Sequence, residues 1–267
     1  MSKAEQRAEM PEGSAPILDK RSLEKDYRTL VDFLQPGMRV LDVGCGSGAI
    51  SRGLAERVGP DGYVRGIDSS EHLIASGQKR NADVKNLSLS HEDLFAYQPK
   101  EKFDLIVSAR VLQWLSNPVE ALKKFKSLLK PGGTISILDY DHTAIQWTPK
   151  PPASMKRFYT AFLQWRAEAG MNNQIAQDLP DYFQQIGLEQ IEVFDSSETY
   201  LKGAANFPHK IGIWSAVAQS RGQQVVRDGY FEEEARLQTI EEYETWAAIE
   251  AQSMVMVLRE VRGRLGA

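Results

Sequence analysis

The feature that most constrains this chain is a glycine-rich turn that follows a short apolar segment. Residues 40–48 read VLDVGCGSG, with glycine at the alternate positions Gly44, Gly46 and Gly48. Glycine has no Cβ atom, so a backbone built from it can turn tightly and approach a ligand closely. A helical pattern begins at Ala49, and a helix starting there would aim its free N–H groups at the same place. The segment therefore predicts a ligand-binding loop between a strand and a helix.

Short β-branched runs alternate with helical patterns on both sides of this loop. Alternation of this kind predicts a mostly parallel sheet with helices on both faces, the doubly wound α/β class. Strands are predicted at 39–43, 63–68, 87–91, 103–109, 134–139, 188–194 and 253–261. Helices are predicted at 22–34, 49–58, 70–79, 118–129, 155–169, 175–186, 207–218 and 231–249.

The organisation along the chain predicts one α/β core with two helical insertions. With 267 residues, the chain is long for one minimal domain and short for two. The predicted parts are a mobile N-terminal arm (1–21), a ligand-binding core (22–144), a cap insertion (145–172), a continuation of the core (173–204), a second helical cap (205–250) and a closing strand (251–267).

Charge and cysteine content limit the partners and the compartment. The 32 basic and 36 acidic residues give a formal charge of −4, which provides no global attraction for nucleic acid or an anionic membrane. Cys45, the single cysteine, cannot form an internal disulfide, and no apolar stretch approaches the ~20 residues of a membrane span. The N-terminal residues carry no apolar core of a signal peptide. We expect a cytoplasmic protein that binds neither nucleic acid nor a membrane; its oligomeric state stays open.

A carboxylate at the end of the next predicted strand adds to the ligand-binding loop. Asp68 lies about 20 residues after the glycines, where an acidic side chain can accept both hydroxyls of a ribose. The pair predicts a nucleoside site. The spacing Gly44-x-Gly46-x-x-Ala49 also satisfies the loose dinucleotide fingerprint, so an NAD-dependent dehydrogenase remains an alternative at this point.

Residues of about 38–141 together resemble the class I S-adenosylmethionine-dependent methyltransferases. The resemblance rests on Asp42 with the glycine loop, Asp68, the Glu92-Asp93-Leu94 segment, FDLIVSARVLQWL at 103–115 and LLKPGGTISILD at 128–139. It implies a Rossmann-like, seven-stranded sheet with a reversed last strand, for which 253–261 is the candidate. It also implies an enzyme that transfers a methyl group by in-line displacement to the O, N or carboxylate of a small-molecule substrate. A catalytically silent cofactor-binding module of the same fold is the other alternative.

The resemblance implies a role for individual residues of the cofactor site. Asp42 and the glycine loop (Gly44, Gly46, Gly48) would lie beside the methionine part of S-adenosylmethionine. Asp68, with Ser69 beside it, would hold the ribose. Asp93 would bind the adenine amino group with Leu94 against the ring, and Ala109 and Arg110 would line the cofactor. Asp93 could instead cap a helix.

The acceptor should be recognised by aromatic residues outside the core. In this sheet class, insertions over the carboxyl ends of the strands can cap a ligand and exclude water. The substrate-binding candidates are Trp147, Phe158, Phe162, Arg166 and Trp214. The spacing of the phenylalanines is equally that of a buried helix stripe. The Gln113-Trp114-Leu115 segment resembles carboxyl-methylating relatives and keeps a carboxylate acceptor open, with Arg110, Arg157 or Arg166 as its anchor.

A general base, where the acceptor needs one, should follow the fifth predicted strand. His142 and Tyr140 are the catalytic candidates, and the ordinary pKa of histidine, about 6.5, suits a base near neutrality. His142 could equally be a solvated loop residue. Asp139, Asp141 and His142 could hold a divalent cation, but no other ligand cluster supports this, and we expect no metal. Ser108-Ala109-Arg110 replaces the motif usual in base methylases, which argues against nucleic acid as the substrate.

Overall fold

A computed structural model describes residues 3–8 and 21–266 of the chain. Within them, eight strands form one sheet. They are β1 (Arg39–Val43), β2 (Tyr63–Asp68), β3 (Leu87–His91), β4 (Phe103–Ala109), β5 (Leu129–Thr148), β6 (Glu189–Asp195), β7 (Glu198–Leu201) and β8 (Ser253–Arg264).

The sheet is parallel through its first five strands and reverses at the last. The strand order is β3-β2-β1-β4-β5-β8-β6, and β7 pairs with β8 beside this path. β8 runs antiparallel to β5, β6 and β7. The doubly wound class and the reversed last strand are therefore confirmed. The carboxyl ends of β1, β2, β4 and β5 share one edge, and ligands bind at this edge in such sheets.

Helices cover the sheet and form the cap. They are α1 (Lys3–Ala8), α2 (Leu23–Asp26), α3 (Ala49–Val58), α4 (Glu71–Arg80), α5 (Pro118–Leu128), α6 (Ala153–Glu168), α7 (Ile175–Gln185), α8 (Phe207–Ile211), α9 (Ile213–Gln219), α10 (Arg221–Arg227) and α11 (Glu233–Ile249). Short 3-10 helices occupy Arg28–Phe33 and Leu112–Trp114.

Three predicted elements differ from the structure. The strand predicted at 134–139 is the long β5, because Tyr140 and Asp141 continue its pairing with β8, and pairing resumes at Gln146 after a register shift. The helix predicted at 22–34 is a single turn followed by a 3-10 helix. The helix predicted at 207–218 is split into α8 and α9 at Gly212. The short strand β7 was not predicted.

The predicted N-terminal arm lies mostly outside the described residues, but part of it is helical and docked. α1 packs near the cap, where the Arg221 guanidinium donates to the carbonyl of Arg7 at 2.6 Å. Arg7 in turn donates to the carbonyl of Trp165 and pairs with Asp228 at 3.3 Å. Lys3–Ala8 of the predicted mobile arm therefore form a helix, and the mobility of 1–21 stays a prediction.

Apolar side chains fill both faces of the sheet. Neighbouring strand residues point to opposite faces, so Val40 belongs to one apolar cluster and Leu41 to the other. The first cluster continues into the cap through Phe158 and Trp214, whereas the second packs on α5 and α7 through Phe125 and Phe183. The cap thus shares a core with the sheet. No helix within 3–8 and 21–266 is long and apolar enough to span a membrane.

Candidate active site

The loop between β1 and α3 has the backbone that its glycines predict. Gly44, Gly46 and Gly48 have φ values of 73°, 55° and 75°, a left-handed region that residues with a Cβ atom enter only at a cost. The N–H groups of Gly44 and Cys45 both donate to the carbonyl of Ile67 on β2, at 2.8 and 3.1 Å. These bonds fix the loop against the end of the neighbouring strand.

Helix α4 supports the same loop from behind. A Cβ atom added at Gly77 would lie 2.5 Å from the carbonyl oxygen of Ser47. The helix can therefore approach the loop this closely only because Gly77 has no side chain. Asn81 donates to the carbonyls of Ser47 at 3.3 Å and Gly77 at 2.9 Å. The loop is thereby preorganised without a ligand.

Asp68 lies at the end of β2 and binds the backbone of two segments, the glycine loop and the turn that follows β2. Its Oδ2 accepts the N–H of Gly46 at 2.8 Å, and its Oδ1 accepts the N–H of Ser70 at 2.9 Å. Burial raises the pKa of Asp68, and these two bonds oppose that effect. A carboxylate oxygen can accept a second hydrogen bond, so both oxygens can still accept a pair of ligand hydroxyls. The two acceptor oxygens of Asp68 therefore fit the two hydroxyls of a ribose, and Ser69 follows directly.

Asp42 is a buried carboxyl group next to the glycine loop. Its side chain is 3% exposed, and its Oδ2 accepts the hydroxyl of Ser51 at 2.6 Å. Burial, assisted by the charge of Asp68, raises the pKa of Asp42 to about 7. A cationic group bound beside it would favour the ionised form, so the site suits a positively charged ligand.

Asp93 and Leu94 lie after β3, on a turn. The Oδ1 of Asp93 accepts the N–H of Ala96 at 2.9 Å, so this carboxylate caps a turn of the backbone. Asp93 itself is exposed and Leu94 is half-buried against the second apolar cluster. The adenine role of both residues stays a prediction.

Arg110 follows Ala109 at the end of β4 in a left-handed conformation, with a φ of 63°. Its N–H donates to the carbonyl of Leu138 at 2.7 Å. The guanidinium is buried, pairs with Glu198 of β7 at 2.7 Å and donates from Nε to the Tyr140 hydroxyl at 3.1 Å. Its Nη1 is buried without a hydrogen-bond partner. The candidate carboxylate anchor is thus already paired with an acid of this chain.

His142 is a buried residue of β5 and not a solvated loop residue. Its side chain is 7% exposed and Nε2 lies 2.6 Å from Oε1 of Gln113. Burial, together with the positive charge of Arg166, holds the pKa of His142 well below its ordinary value. The expectation of a base that titrates near neutrality is therefore wrong, because the imidazole is held neutral. Tyr140 is half-buried, and burial raises its pKa, so it stays a phenol.

The structure brings most of the predicted substrate residues into one aromatic cluster around His142. Trp214 is central: its ring lies 5.8 Å from Phe162, 6.5 Å from Trp147 and 6.3 Å from His142. Phe158 stacks on Phe162 at 6.4 Å. The two phenylalanines and Trp214 are buried and belong to the core, as the stripe interpretation expects. These three rings pack against one another inside the cap.

Arg166 links the cap helix to the loop after β4. It is fully buried and donates to Oδ1 of Asn173 and to the carbonyl of Gln113, each at 2.8 Å. Its guanidinium stacks on Trp114 at 4.5 Å, and its Nη1 has no partner. Arg157, the other candidate anchor on α6, is exposed. The sequence did not predict Gln113 as a site residue, although the segment Gln113-Trp114-Leu115 resembles carboxyl-methylating relatives.

The described residues contain no group of three His, Cys, Asp or Glu side chains that could hold a metal ion. Asp139 is buried and accepts the N–H groups of Gln113 at 3.0 Å and Tyr140 at 2.9 Å. Burial raises its pKa to about 6. Asp141 binds the backbone and hydroxyl of Thr143, at 2.9 and 2.7 Å. These carboxylates therefore order their own strand.

The sheet order, the glycine loop and the strand-end carboxylate define a class I S-adenosylmethionine-dependent methyltransferase. Comparison with known families agrees: residues 34–191 match the model of a methyltransferase domain, and the chain belongs to that family. The protein is an enzyme that uses S-adenosylmethionine. The dehydrogenase alternative gains no support from these comparisons.

Relatives and solved structures place the chain among methyltransferases. Aklanonic acid methyltransferase DauC of a Streptomyces species is 34% identical over 152 residues, which cover 53% of this chain and 69% of the relative. The ubiquinone/menaquinone biosynthesis C-methyltransferase UbiE of Cupriavidus metallidurans is 25% identical over 184 residues, covering 61% and 72%. An S-adenosylmethionine-dependent methyltransferase structure from Aquifex aeolicus, 17% identical, shares the fold with a TM-score of 0.55 over 96% of this chain and 100% of the other.

Proposed function

We propose that this enzyme methylates a small, largely planar organic molecule, bound between the aromatic cluster and the cofactor loop. The rings of Phe158, Phe162 and Trp214 are packed in the core of the closed cap, and opening of the cap would present their apolar faces to an acceptor. Such faces suit a flat acceptor more than a polar, flexible one. The relatives named above act on aklanonic acid and in ubiquinone and menaquinone biosynthesis, which supports a small-molecule acceptor.

We assign the residues of the cofactor site to the same parts of S-adenosylmethionine that the family resemblance implies. The glycine loop and Asp42 lie beside the methionine part, Asp68 with Ser69 holds the ribose, and Asp93 with Leu94 holds the adenine. Ala109 and Arg110 line the cofactor from the end of β4. S-adenosylmethionine supplies an activated methyl group on a sulfonium, so the protein has to align the acceptor and remove its proton where it has one.

His142 takes that proton when the acceptor is a hydroxyl. The observation that carries this proposal is its position: a buried, neutral imidazole at the centre of the aromatic cluster, on β5 beside the loop that follows β4. Because burial and Arg166 keep the pKa of His142 low, it is a weak base. A weak base suits an acidic hydroxyl, such as a phenol or an enol, better than an aliphatic alcohol. Tyr140 remains a hydrogen-bonding neighbour.

Three matched acceptors test this assignment. 2-Naphthol, 2-naphthoic acid and 2-naphthylamine share one ring system, and transfer from methyl-labelled S-adenosylmethionine is measured for each. We expect His142→Ala to lower turnover of the naphthol by about 10²–10⁴-fold, because general-base catalysis is lost. The naphthoate needs no base and should be unaffected.

His209→Ala is the matched control because His209 is an exposed histidine of the cap. It should leave all three rates unchanged. Full turnover of the naphthol by His142→Ala between pH 6 and 9 would remove His142 from the mechanism and leave alignment alone as the catalytic effect.

A further inference from the structure

Gln113 is only 3% exposed, and its backbone N–H, its carbonyl and both polar atoms of its side chain each have a hydrogen-bond partner. Its backbone N–H donates to Oδ2 of Asp139 at 3.0 Å, and its carbonyl accepts Nη2 of Arg166 at 2.8 Å. Its side-chain Nε2 donates to the carbonyl of Arg110 at 3.2 Å. Its Oε1 lies 2.6 Å from Nε2 of His142. One residue therefore connects β4, β5 and the cap helix α6.

These partners determine which way the amide of Gln113 points. The carbonyl of Arg110 can only accept, so it must face the NH₂ group of Gln113. The amide oxygen then faces His142, and because an amide oxygen cannot donate, the hydrogen lies on Nε2 of the imidazole. A neutral imidazole carries one N–H, so Nδ1 holds the free electron pair.

We propose that Gln113 is a positioning residue that fixes His142 in the tautomer whose Nδ1 accepts the proton of the methyl acceptor. The inference rests on the proposed role of His142 and adds the atom that acts. Gln113 holds the ring by Nε2. The O–H bond of the hydroxyl would break as its proton passes to Nδ1, and the oxygen would bond to the methyl carbon while the bond from that carbon to the sulfonium sulfur breaks, which leaves the neutral thioether S-adenosylhomocysteine. The protonated ring later returns the proton to solvent.

The surroundings of His142 support a neutral ring. Arg166 from α6 acts on it electrostatically, and the Tyr159 hydroxyl of the same helix donates to the carbonyl of His142 at 2.5 Å. Tyr140 and Asp141 precede it on β5, with the Tyr140 ring 5.4 Å away. The Trp214 indole faces it from α9. Burial and the nearby cation Arg166 both disfavour the imidazolium, so the free electron pair stays available.

Nuclear magnetic resonance of the full chain, labelled with ¹⁵N in its histidine rings, reads the tautomer without any acceptor. The chain has four histidines, and His142→Asn assigns the signal. We expect His142 in the wild type to be the neutral Nε2–H form between pH 6 and 8, favoured by about tenfold or more over the other tautomer. A dominant Nδ1–H form, an even mixture or an imidazolium would overturn the proposal.

Two variants separate positioning from a purely structural role. Gln113→Glu keeps an acceptor for Nε2 but adds a negative charge, so it should raise the pKa of His142 by about 1–3 and move the acid limb of the kcat profile for 2-naphthol by the same amount. Gln113→Leu should populate both tautomers and lower kcat more than it changes KM. Gln164→Leu, a change on the exposed face of α6, is the control and should do neither.

The outcomes also separate this inference from the proposed base. If His142→Ala keeps full naphthol turnover while the wild type shows the Nε2–H form, the base assignment fails. If His142→Ala is inactive but Gln113→Glu leaves both the pKa of His142 and the kcat profile unmoved, the positioning role of Gln113 fails. Should Gln113→Leu not fold, the wild-type tautomer and Gln113→Glu still decide.

Discussion

Replacing Asp42 by Asn should make the folded protein more stable and the cofactor site weaker. Asp42 is buried, and its Oδ2 accepts the Ser51 hydroxyl at 2.6 Å. Asn has nearly the same shape and keeps an oxygen for this bond, but it carries no charge. The variant therefore isolates the cost of holding an ionised carboxyl group beside the glycine loop.

The sign and size of the effect follow from the pKa of Asp42. It lies near 3.8 in the unfolded chain and at about 7 in the folded one. Between these values the folded state binds a proton that the unfolded state has lost, so the contribution of Asp42 to the free energy of unfolding is highest below pH 4 and is lost as pH rises through 7. A difference of about 3 in pKa corresponds to about 4 kcal/mol. The new amide NH₂ of Asn also needs partners, which reduces the expected gain to about 1–3 kcal/mol at pH 8.

Urea denaturation at pH 4 and pH 8 measures this difference. We expect Asp42→Asn to match the wild type at pH 4 and to exceed it at pH 8. Asp61→Asn, at an exposed position, should follow the wild type at both values. In calorimetry, Asp42→Asn should bind S-adenosylmethionine at least about tenfold more weakly, because the anion beside a cationic ligand is lost. A variant with the same stability as the wild type at pH 8, and the same dependence on pH, would refute the argument.

The remaining predictions concern the loop and the cap. Asp68→Ala should raise the dissociation constant of S-adenosylmethionine by about 10–100-fold, through the loss of two hydrogen bonds to a charged acceptor, and equal affinities in calorimetry would contradict the ribose assignment. Gly77→Ala should lower the free energy of unfolding by about 1–3 kcal/mol in urea, because its Cβ would lie 2.5 Å from the carbonyl of Ser47. Residues 145–172 and 205–250 should exchange amide hydrogens faster than β1 and β4 in the free protein and slow down with cofactor and acceptor; cap amides protected as well as the strands would exclude a moving lid.

The parts of the site that sequence could predict are local ones. The glycine loop and Asp68 can be predicted from the sequence because each lies at the end of an apolar strand. The parallel pairing of β1 and β2 then brings the loop and Asp68 together. Strand bounds at Arg39–Val43 and Phe103–Ala109 agree with the sequence for the same reason. These features depend on residues within one strand and its following turn.

The acceptor side could not be read in this way because its contacts join distant segments. Gln113 and His142 are 29 residues apart, and their hydrogen bond exists only because β5 continues past its expected end along β8. The pairing of Arg110 with Glu198 spans 88 residues and depends on β7, a strand of four residues. Neither the extension of β5 nor the short strand β7 has a periodic pattern in the sequence. Where a polar strand ends depends on the strand that it pairs with, and not on its own residues.

The same contacts imply that His142 is prepared as a base before the acceptor binds. His142, Phe162 and Trp214 are packed together in the described structure, so an acceptor can reach the imidazole only if the cap helices α6 and α9 move apart from β5. Gln113, however, holds His142 from the β4 side and not from the cap. The predicted opening would therefore expose the ring without releasing the bond at Nε2, and the tautomer would be retained while the acceptor enters. In the packed state, Arg166 donates to the carbonyl of Gln113 and the imidazole is shielded from water.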